Sequence, residues 1–242
     1  MTTRSGGGQF ASTRWTQILA AANPRHPDAR EALTALCRTY WPPLYAFVRR
    51  RGFSPADSED LTQGFFARLL RLDSLAEVRR ERGRFRAFLL ASLQNYLADE
   101  RDRALAEKRG AGLVVSINAA EAEAGYQREP ADTTATPDAA FDRAWALTLL
   151  NTVVTRLRTD YAAAGQETTF AALSFSLTGD RSTLPYAELA ARLGLSEPAV
   201  RVAVHRLRKR YRQLLREEIA QTVARPEEVD DELRALRQAL TG

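Results

Sequence analysis

Basic side chains near the C-terminus carry the clearest chemistry in this sequence, which is the recognition of phosphate groups and base edges in nucleic acid. Apolar residues recur at helical spacing over 200–215, and this stripe leaves the opposite face of the helix exposed. That face carries these residues: Arg201, Val202, His205, Arg206, Arg208, Lys209 and Arg212. Side chains at the start of such a helix reach base edges in the major groove, while later ones meet phosphates. We therefore predict that Arg201 and His205 contact bases or nearby phosphates, and that Val202 contacts a thymine methyl group.

A short helix and a tight turn are expected immediately before this basic helix. Apolar residues line one face over 186–193, with the small Ala190 where two helices must cross closely. Gly194 can adopt the positive φ of a tight turn, and Ser196 can cap the next helix. Together these features predict a helix-turn-helix. The competing interpretation is a helical hairpin whose basic face is merely solvated.

The sequence lacks the groupings of side chains that catalytic sites need. No second histidine lies near His205, no glycine-rich loop could cradle a phosphate, and no set of residues has metal-ligand spacing. The single cysteine, Cys37, excludes an intrachain disulfide and is expected to be a small core residue. We therefore expect no enzyme activity, no cofactor and no metal.

Composition adds only weak evidence for a polyanionic partner. Thirty-five Lys and Arg residues oppose thirty Asp and Glu residues, which gives a net charge of +5. Many helical proteins share such a balance, so the local patterns must decide. No apolar run resembles a signal sequence or approaches the length of about 20 residues that a membrane span needs. We expect a soluble, cytoplasmic protein.

Helical periodicity dominates the chain and predicts an all-α fold, with two small helical domains joined by a flexible linker. The linker is predicted where apolar periodicity fails and Ala, Thr, Glu and Pro accumulate. The expected divisions are a disordered lead-in over 1–14, a first domain over 15–109, a linker over 110–138, a second domain with the helix-turn-helix over 139–224, and a C-terminal amphipathic helix over 225–242. This last helix could pack on the second domain, shield the basic face or bind a partner.

Local signals place the helices of the first domain. They are expected near Trp15, over 32–51, from Pro55 onward and over 84–106. Pro42 and Pro43 must break or kink the second of them. Ser54 and Asp57 form a capping box that starts the third.

Three segments resemble the extracytoplasmic-function sigma factors, which are two-domain subunits that bring bacterial RNA polymerase to promoters. PYAELAARLGLSEPAVRVAVHRLRKRYRQLLREEI resembles the family's fourth domain, which reads the minus-thirty-five element. SPADSEDLTQGFFARLL resembles the segment that docks on the polymerase clamp, and FRAFLLASLQNYLADERDRALAEKR the one that melts and reads the minus-ten element. The lead segment STRWTQIL and the long linker are similar to those of a subgroup found beside Ser/Thr kinases.

The resemblance implies two sets of site residues in the first domain. It assigns polymerase binding to Asp57, Glu59, Asp60, Leu61, Gln63 and Phe66. It assigns minus-ten recognition to Phe88, Asn95, Tyr96, Asp99, Arg101 and Arg103, with Phe88 in place of the family's usual tryptophan. Two plainer interpretations stay open: Asp57 can complement the helix dipole, and Tyr96 lies on the apolar stripe and favours a core position.

Thr62 and Gly64 depart from the family pattern, which has an aliphatic residue and an acid there. One hypothesis is that a partner kinase phosphorylates Thr62, and the alternative is a half-buried spacer. The implied partners are core RNA polymerase, promoter DNA, and a Ser/Thr kinase or an anti-sigma factor. The rival functions are a one-component transcription regulator that does not bind polymerase, a nucleic-acid-processing enzyme and a helical adaptor.

Overall fold

The computed structural model describes residues 27, 29–71, 85–106, 119–128, 136–177, 186–223 and 225–241 of the chain. Regular secondary structure in these ranges is helical, which confirms the predicted all-α class. The α-helices are α1 (Ala29–Arg50), α2 (Pro55–Arg71), α3 (Phe85–Ala106), α4 (Ala119–Arg128), α5 (Pro137–Ala163), α6 (Glu167–Leu173), α7 (Tyr186–Leu193), α8 (Glu197–Ala220) and α9 (Val229–Thr241). Short 3-10 helices cover Ser174–Leu177 and Pro226–Glu228. The helix predicted near Trp15 lies outside the described residues.

Contacts divide the chain into two units. The first comprises Met1–Trp145 with Gln221–Gly242, and the second comprises Ala146–Ala220. Helices α1 to α4, the first turns of α5 and all of α9 therefore belong to the first unit. The rest of α5 and helices α6 to α8 form the second. None of the described helices combines the length and apolar character needed to cross a membrane.

Helix α1 supplies the centre of the first unit's core and runs unbroken through both prolines. Of the break or kink expected at Pro42 and Pro43, the break is therefore wrong. Proline in a helix interior costs about 3 kcal/mol or more, whereas each large apolar side chain that is buried contributes roughly 1.5–3 kcal/mol. The prolines are flanked by Trp41 and Leu44, which are 2% and 0% exposed. Burial of these and neighbouring side chains offsets the loss of backbone hydrogen bonds.

Helix α2 begins as the sequence predicts. The Asp57 backbone N–H donates to the Ser54 hydroxyl oxygen at 3.1 Å, and this hydroxyl donates to the Asp57 carboxylate at 2.7 Å. Ser54 therefore caps the helix, with Pro55 as its first residue. The apolar face of α2 packs on α1, where Phe66 stacks on Trp41 with ring centroids 5.8 Å apart.

Helix α4 lies inside the segment that was predicted to be a linker, so the linker is not without regular structure. Its sequence, AAEAEAGYQR, is rich in Ala and Glu, which have high helix propensity. Glu123 accepts hydrogen bonds from the Tyr45 hydroxyl and from Arg49 Nε on α1, the latter at 3.0 Å. Arg49 also lies over the Tyr126 ring, 5.1 Å from its centroid. A helix held by polar contacts has no long apolar stripe, and a search for such stripes overlooks it.

The second unit is built around the predicted apolar stripe of α8. Val200, Val204, Leu207 and Leu214 are all at most 2% exposed. Between α7 and α8, Gly194 adopts a φ of +62°, and the Leu195 N–H donates to the Ala190 carbonyl oxygen at 3.0 Å. The predicted helix, turn and helix are thus present in the expected order.

The C-terminal helix α9 is anchored in the first unit by a buried carboxylate. Glu232 is fully buried and accepts from Arg86 Nε on α3 at 2.7 Å. Arg86 also pairs with Asp142 at the start of α5 and lies over the Trp145 ring, 4.6 Å from its centroid. Packing on the second domain was one of the three roles considered for this helix, but its contacts are with α3 of the first unit, to which it belongs.

Candidate nucleic-acid interface

The exposed face of α8 gathers most of the basic residues predicted to contact DNA. Six of the seven predicted side chains are exposed: Arg201, Val202, His205, Arg206, Lys209 and Arg212. The seventh, Arg208, is half-buried and donates from Nη2 and Nε to the Ser176 carbonyl oxygen at 2.9 and 3.1 Å. The Arg208 guanidinium therefore ties α8 to the preceding 3-10 helix inside the unit, and we place it apart from the exposed set.

Arg201 is the member of this face whose position is best defined. Its guanidinium lies over the ring of Tyr186, the first residue of α7, at 4.3 Å from the ring centroid. Its Nη2 lies 3.9 Å from an oxygen of Glu197, one turn earlier on α8. Sequence reasoning assigned Tyr186 only to the face of a helix and missed this contact. The signal for it was weak, because the two residues are fifteen positions apart.

A groove of about 580 Å³ lies beside the start of α8. Tyr161, Leu195, Val202 and Arg206 are among the residues that line it. Burial raises the pKa of Tyr161, and the positive charge of Arg206 opposes that shift. Leu195 and Val202 are 44% and 48% exposed. The basic face thus has an apolar border, which suits contact with methyl and sugar groups beside phosphates.

Four of the predicted minus-ten residues on α3 are exposed to solvent. These are Asn95, Asp99, Arg101 and Arg103. Asp99 pairs with Arg68 on α2 at 2.7 Å, and Arg103 pairs with Glu100 at 2.8 Å. Asn95 lies on the same face of α3 as Asp99, whereas Arg101 is exposed on a different face of the helix.

The two aromatic residues predicted to act at the minus-ten element are less accessible. Phe88 is half-buried, and its ring stacks on Phe85 with centroids 6.0 Å apart. Tyr96 is only 8% exposed and packs against Phe65 with centroids 5.9 Å apart. The core interpretation of Tyr96 is therefore the one that its burial supports.

The predicted polymerase-binding residues of α2 divide by exposure. Asp57 and Asp60 are exposed, and Glu59, Leu61 and Gln63 are half-buried. Phe66 is 3% exposed, because its ring stacks on Trp41 in the core. Assigning it to the docking surface is contradicted by this packing. The acidic start of α2 remains the accessible part of that surface.

Thr62 is fully buried, which contradicts both the kinase-target hypothesis and the half-buried alternative. Its hydroxyl donates to the Ser58 carbonyl oxygen one turn earlier, at 2.7 Å. A kinase needs the hydroxyl and the surrounding backbone to be accessible, and neither condition is met in this helix.

Among the described residues, no group of three or more His, Cys, Asp and Glu side chains could hold a metal ion.

Cys37 is buried, as predicted, and burial raises the pKa of its thiol to about 11. The thiol therefore stays protonated at neutral pH.

Residues 36–105 match the family described as Sigma-70 region 2. The matched segment includes most of α1, all of α2 and all but the last residue of α3, and α2 and α3 carry the predicted docking and minus-ten residues. It is less than a third of the 242 residues. Neither curated proteins nor solved structures give a match to this chain. The match supports a sigma factor of the sigma-70 type that binds core RNA polymerase and takes part in promoter melting.

Proposed function

We propose that this protein is a sigma factor that binds core RNA polymerase and directs promoter-specific initiation of transcription. The observation that carries the proposal is the Sigma-70 region 2 match over residues 36–105. That match supports polymerase binding and promoter melting as parts of the proposal. The finer assignments below rest on the exposure and charge of individual side chains.

The acidic start of α2 is proposed to dock on the polymerase. Asp57 and Asp60 are exposed there, and the half-buried Glu59 and Gln63 adjoin them. This surface complements a basic patch on a partner. Asp57 also lies in the first helical turn, where a carboxylate complements the helix dipole. The structural and the docking roles of Asp57 are compatible, since one oxygen binds Ser54 and the group remains exposed.

The α3 surface is proposed to read the minus-ten element in its melted form. Asn95 can donate to and accept from an unpaired base, and Arg101, on a different face of α3, can bind a phosphate elsewhere on the strand. Phe88, which lies on the same helix, has a half-buried apolar ring that can contact an unpaired base. The pairing of Asp99 with Arg68 makes a structural role for Asp99 the stronger one.

The basic face of α8 is proposed to read the minus-thirty-five element. Support comes from the exposure of Arg201, Val202 and His205 near the start of a helix that follows a tight turn. Arg206, Lys209 and Arg212 then supply phosphate contacts further along the helix. This arrangement resembles that of extracytoplasmic-function sigma factors, a class that also implies regulation by an anti-sigma factor or a Ser/Thr kinase. In this proposal the polymerase catalyses RNA synthesis, and the protein itself is not an enzyme.

Reconstitution with core RNA polymerase tests the proposal. The purified chain should bind core polymerase and give RNA from defined start sites, whereas core polymerase alone should not. Arg201→Ala combined with His205→Ala should abolish initiation at promoters that depend on the upstream element while core binding persists. Arg237→Ala removes one positive charge from an exposed arginine of α9, whose Nε donates to the Leu233 carbonyl oxygen of the same helix, and serves as the control.

Two results would count against the proposal. Failure to bind core polymerase would overturn it. Tight, specific binding of duplex DNA by the free chain, with no effect of core polymerase, would instead establish the one-component regulator.

A further inference from the structure

Arg201 has defined neighbours on two sides before any DNA is present. The Tyr186 ring lies under its guanidinium at 4.3 Å, and a Glu197 oxygen lies 3.9 Å from Nη2. The side chains of Arg201 and Glu197 are 61% and 48% exposed. A long side chain that is this exposed would otherwise sample many rotamers.

The two neighbours use different parts of the guanidinium group. A ring stacked on the guanidinium face leaves all the in-plane N–H donors available, because these point outward around the edge. A carboxylate instead takes up N–H donors, which are the groups that bind a guanine edge or a phosphate. The ring therefore supports a DNA contact, whereas the carboxylate competes with it.

We propose that Tyr186 is a positioning residue for recognition of the upstream promoter element, and that Glu197 is an internal competitor which DNA must displace from Arg201. This inference rests on the proposed function and deepens it. Tyr186 holds the guanidinium in place, so less side-chain freedom is lost when DNA binds. The charge of Glu197, 3.9 Å from Nη2, attracts the guanidinium until a guanine or phosphate replaces it, which weakens binding to DNA.

Substitutions at the two positions should therefore act in opposite directions. Tyr186→Leu removes the platform and should weaken binding of upstream-element DNA by roughly three- to fivefold. Tyr186→Phe keeps the ring and should stay within about twofold of the parent. Glu197→Gln removes the competing charge and should strengthen binding by about threefold.

The DNA probe is a duplex that the assembled protein and core polymerase select from a pool randomised over the upstream element. If the chain does not bind core polymerase, the proposed function fails, and the free chain is used for the selection instead. Dissociation constants are measured for the parent, Tyr186→Phe, Tyr186→Leu, Glu197→Gln and Arg201→Ala. Tyr186→Leu and Glu197→Gln are also measured in the Arg201→Ala background.

Loss of the Tyr186→Leu and Glu197→Gln effects in the Arg201→Ala background supports the inference. Undiminished effects in that background overturn it, since Tyr186 would then act through the fold. Equal binding by Tyr186→Leu and Tyr186→Phe overturns it as well. If Arg201→Ala binds DNA like the parent while initiation persists, the inference falls and the sigma-factor proposal stands.

A measurement on the free chain covers the case in which Tyr186→Leu fails to fold. The Arg201 Nε–Hε resonance should be shifted upfield by the ring current in the parent and in Tyr186→Phe. An Arg201 resonance at the position of the other exposed arginines would overturn the inference without any DNA.

Discussion

The hydroxyl of Tyr96 on α3 occupies the space that a β-carbon at Gly64 on α2 would need. The two helices therefore approach each other closely at this point. Close approach accounts for the glycine at a position where related sequences were expected to carry an acid. It also explains why Tyr96 is buried and is not presented to DNA.

Gly64→Ala should destabilise the first unit although alanine favours helices. Overpacking costs roughly 1–3 kcal/mol, against a gain of about 1 kcal/mol in helix propensity. Tyr96→Phe removes the hydroxyl, so Gly64→Ala should become stabilising by up to about 1 kcal/mol in that background. Urea unfolding of the four variants measures both effects. An unchanged cost of Gly64→Ala in the Tyr96→Phe background would contradict the contact.

Thr62→Glu should unfold the first unit and should not activate the protein. A carboxylate at a fully buried position lacks a partner there, and the cost is on the order of 3 kcal/mol or more. Thr62→Val keeps the shape and loses one hydrogen bond, with a cost of about 1 kcal/mol. Thermal melting and transcription assays compare the two variants. Higher activity of Thr62→Glu at unchanged stability would restore the phosphorylation hypothesis.

Glu232→Gln should lower the stability of the first unit by about 2–4 kcal/mol, because it leaves the Arg86 charge buried with only Asp142 as a counterion. Asp231→Asn breaks an exposed pair with Arg234 on the same helix and should change stability by less than about 0.5 kcal/mol. Urea unfolding distinguishes the two. Deleting residues 225–242 should have at least the effect of Glu232→Gln. Unchanged stability with higher transcription after deletion would indicate autoinhibition instead.

Docking of α4 on α1 should weaken in acid. Burial alone would raise the pKa of Glu123, but hydrogen bonds from Arg49, Tyr45 and Gln127 outweigh it, so the pKa is lowered from the ordinary value of 4.5. A carboxyl with a depressed pKa in the folded state contributes stability above its unfolded pKa, and this contribution is lost as pH falls through the folded value. Amide exchange in α4 should therefore accelerate below about pH 4.5. In the Glu123→Gln variant, the amides of α4 should exchange rapidly at all pH values, without the acceleration in acid.

Arg208→Ala and Lys209→Ala should separate structural from DNA-binding cations. Arg208→Ala should cost the second unit about 1–2 kcal/mol, because the buried Ser176 loses the donors to its carbonyl oxygen. Lys209→Ala should leave stability unchanged and reduce the salt dependence of DNA binding by about one unit of slope. Melting curves and salt titrations measure the two effects. If Arg208→Ala instead keeps the parental stability and lowers the salt-dependence slope by about one unit, Arg208 contacts DNA.

Sequence reasoning located the features that depend on local physics. Ser54 and Gly194 act at a helix start and a tight turn because their conformational roles need no distant partner. The apolar stripe of α8 follows from helical spacing alone, and the exposure of Arg201 and His205 follows from the stripe. Burial of Cys37 was likewise expected from its type.

The remaining features depend on contacts between residues far apart in the chain. Glu232 and Arg86 are 146 positions apart, and each alone looks like an ordinary surface charge. Glu123 organises α4 through residues 74 and 78 positions away. Thr62 and Phe66 could be placed on a helical wheel, but their burial depends on how α1 covers α2. Arg208 similarly turned inward because a carbonyl oxygen lies near it.

Pro42 and Pro43 weaken the backbone hydrogen bonding between the two halves of α1. Since Pro42 and Pro43 have no N–H, the carbonyl oxygens of Arg38 and Thr39 lose their backbone donors, and the hydrogen-bond ladder is interrupted at two successive rungs. Coupling between the first half of α1 and the second therefore depends more on side-chain packing than it does elsewhere in the helix. Amides before the prolines should therefore exchange faster than those of Phe47 and Val48 in the same helix.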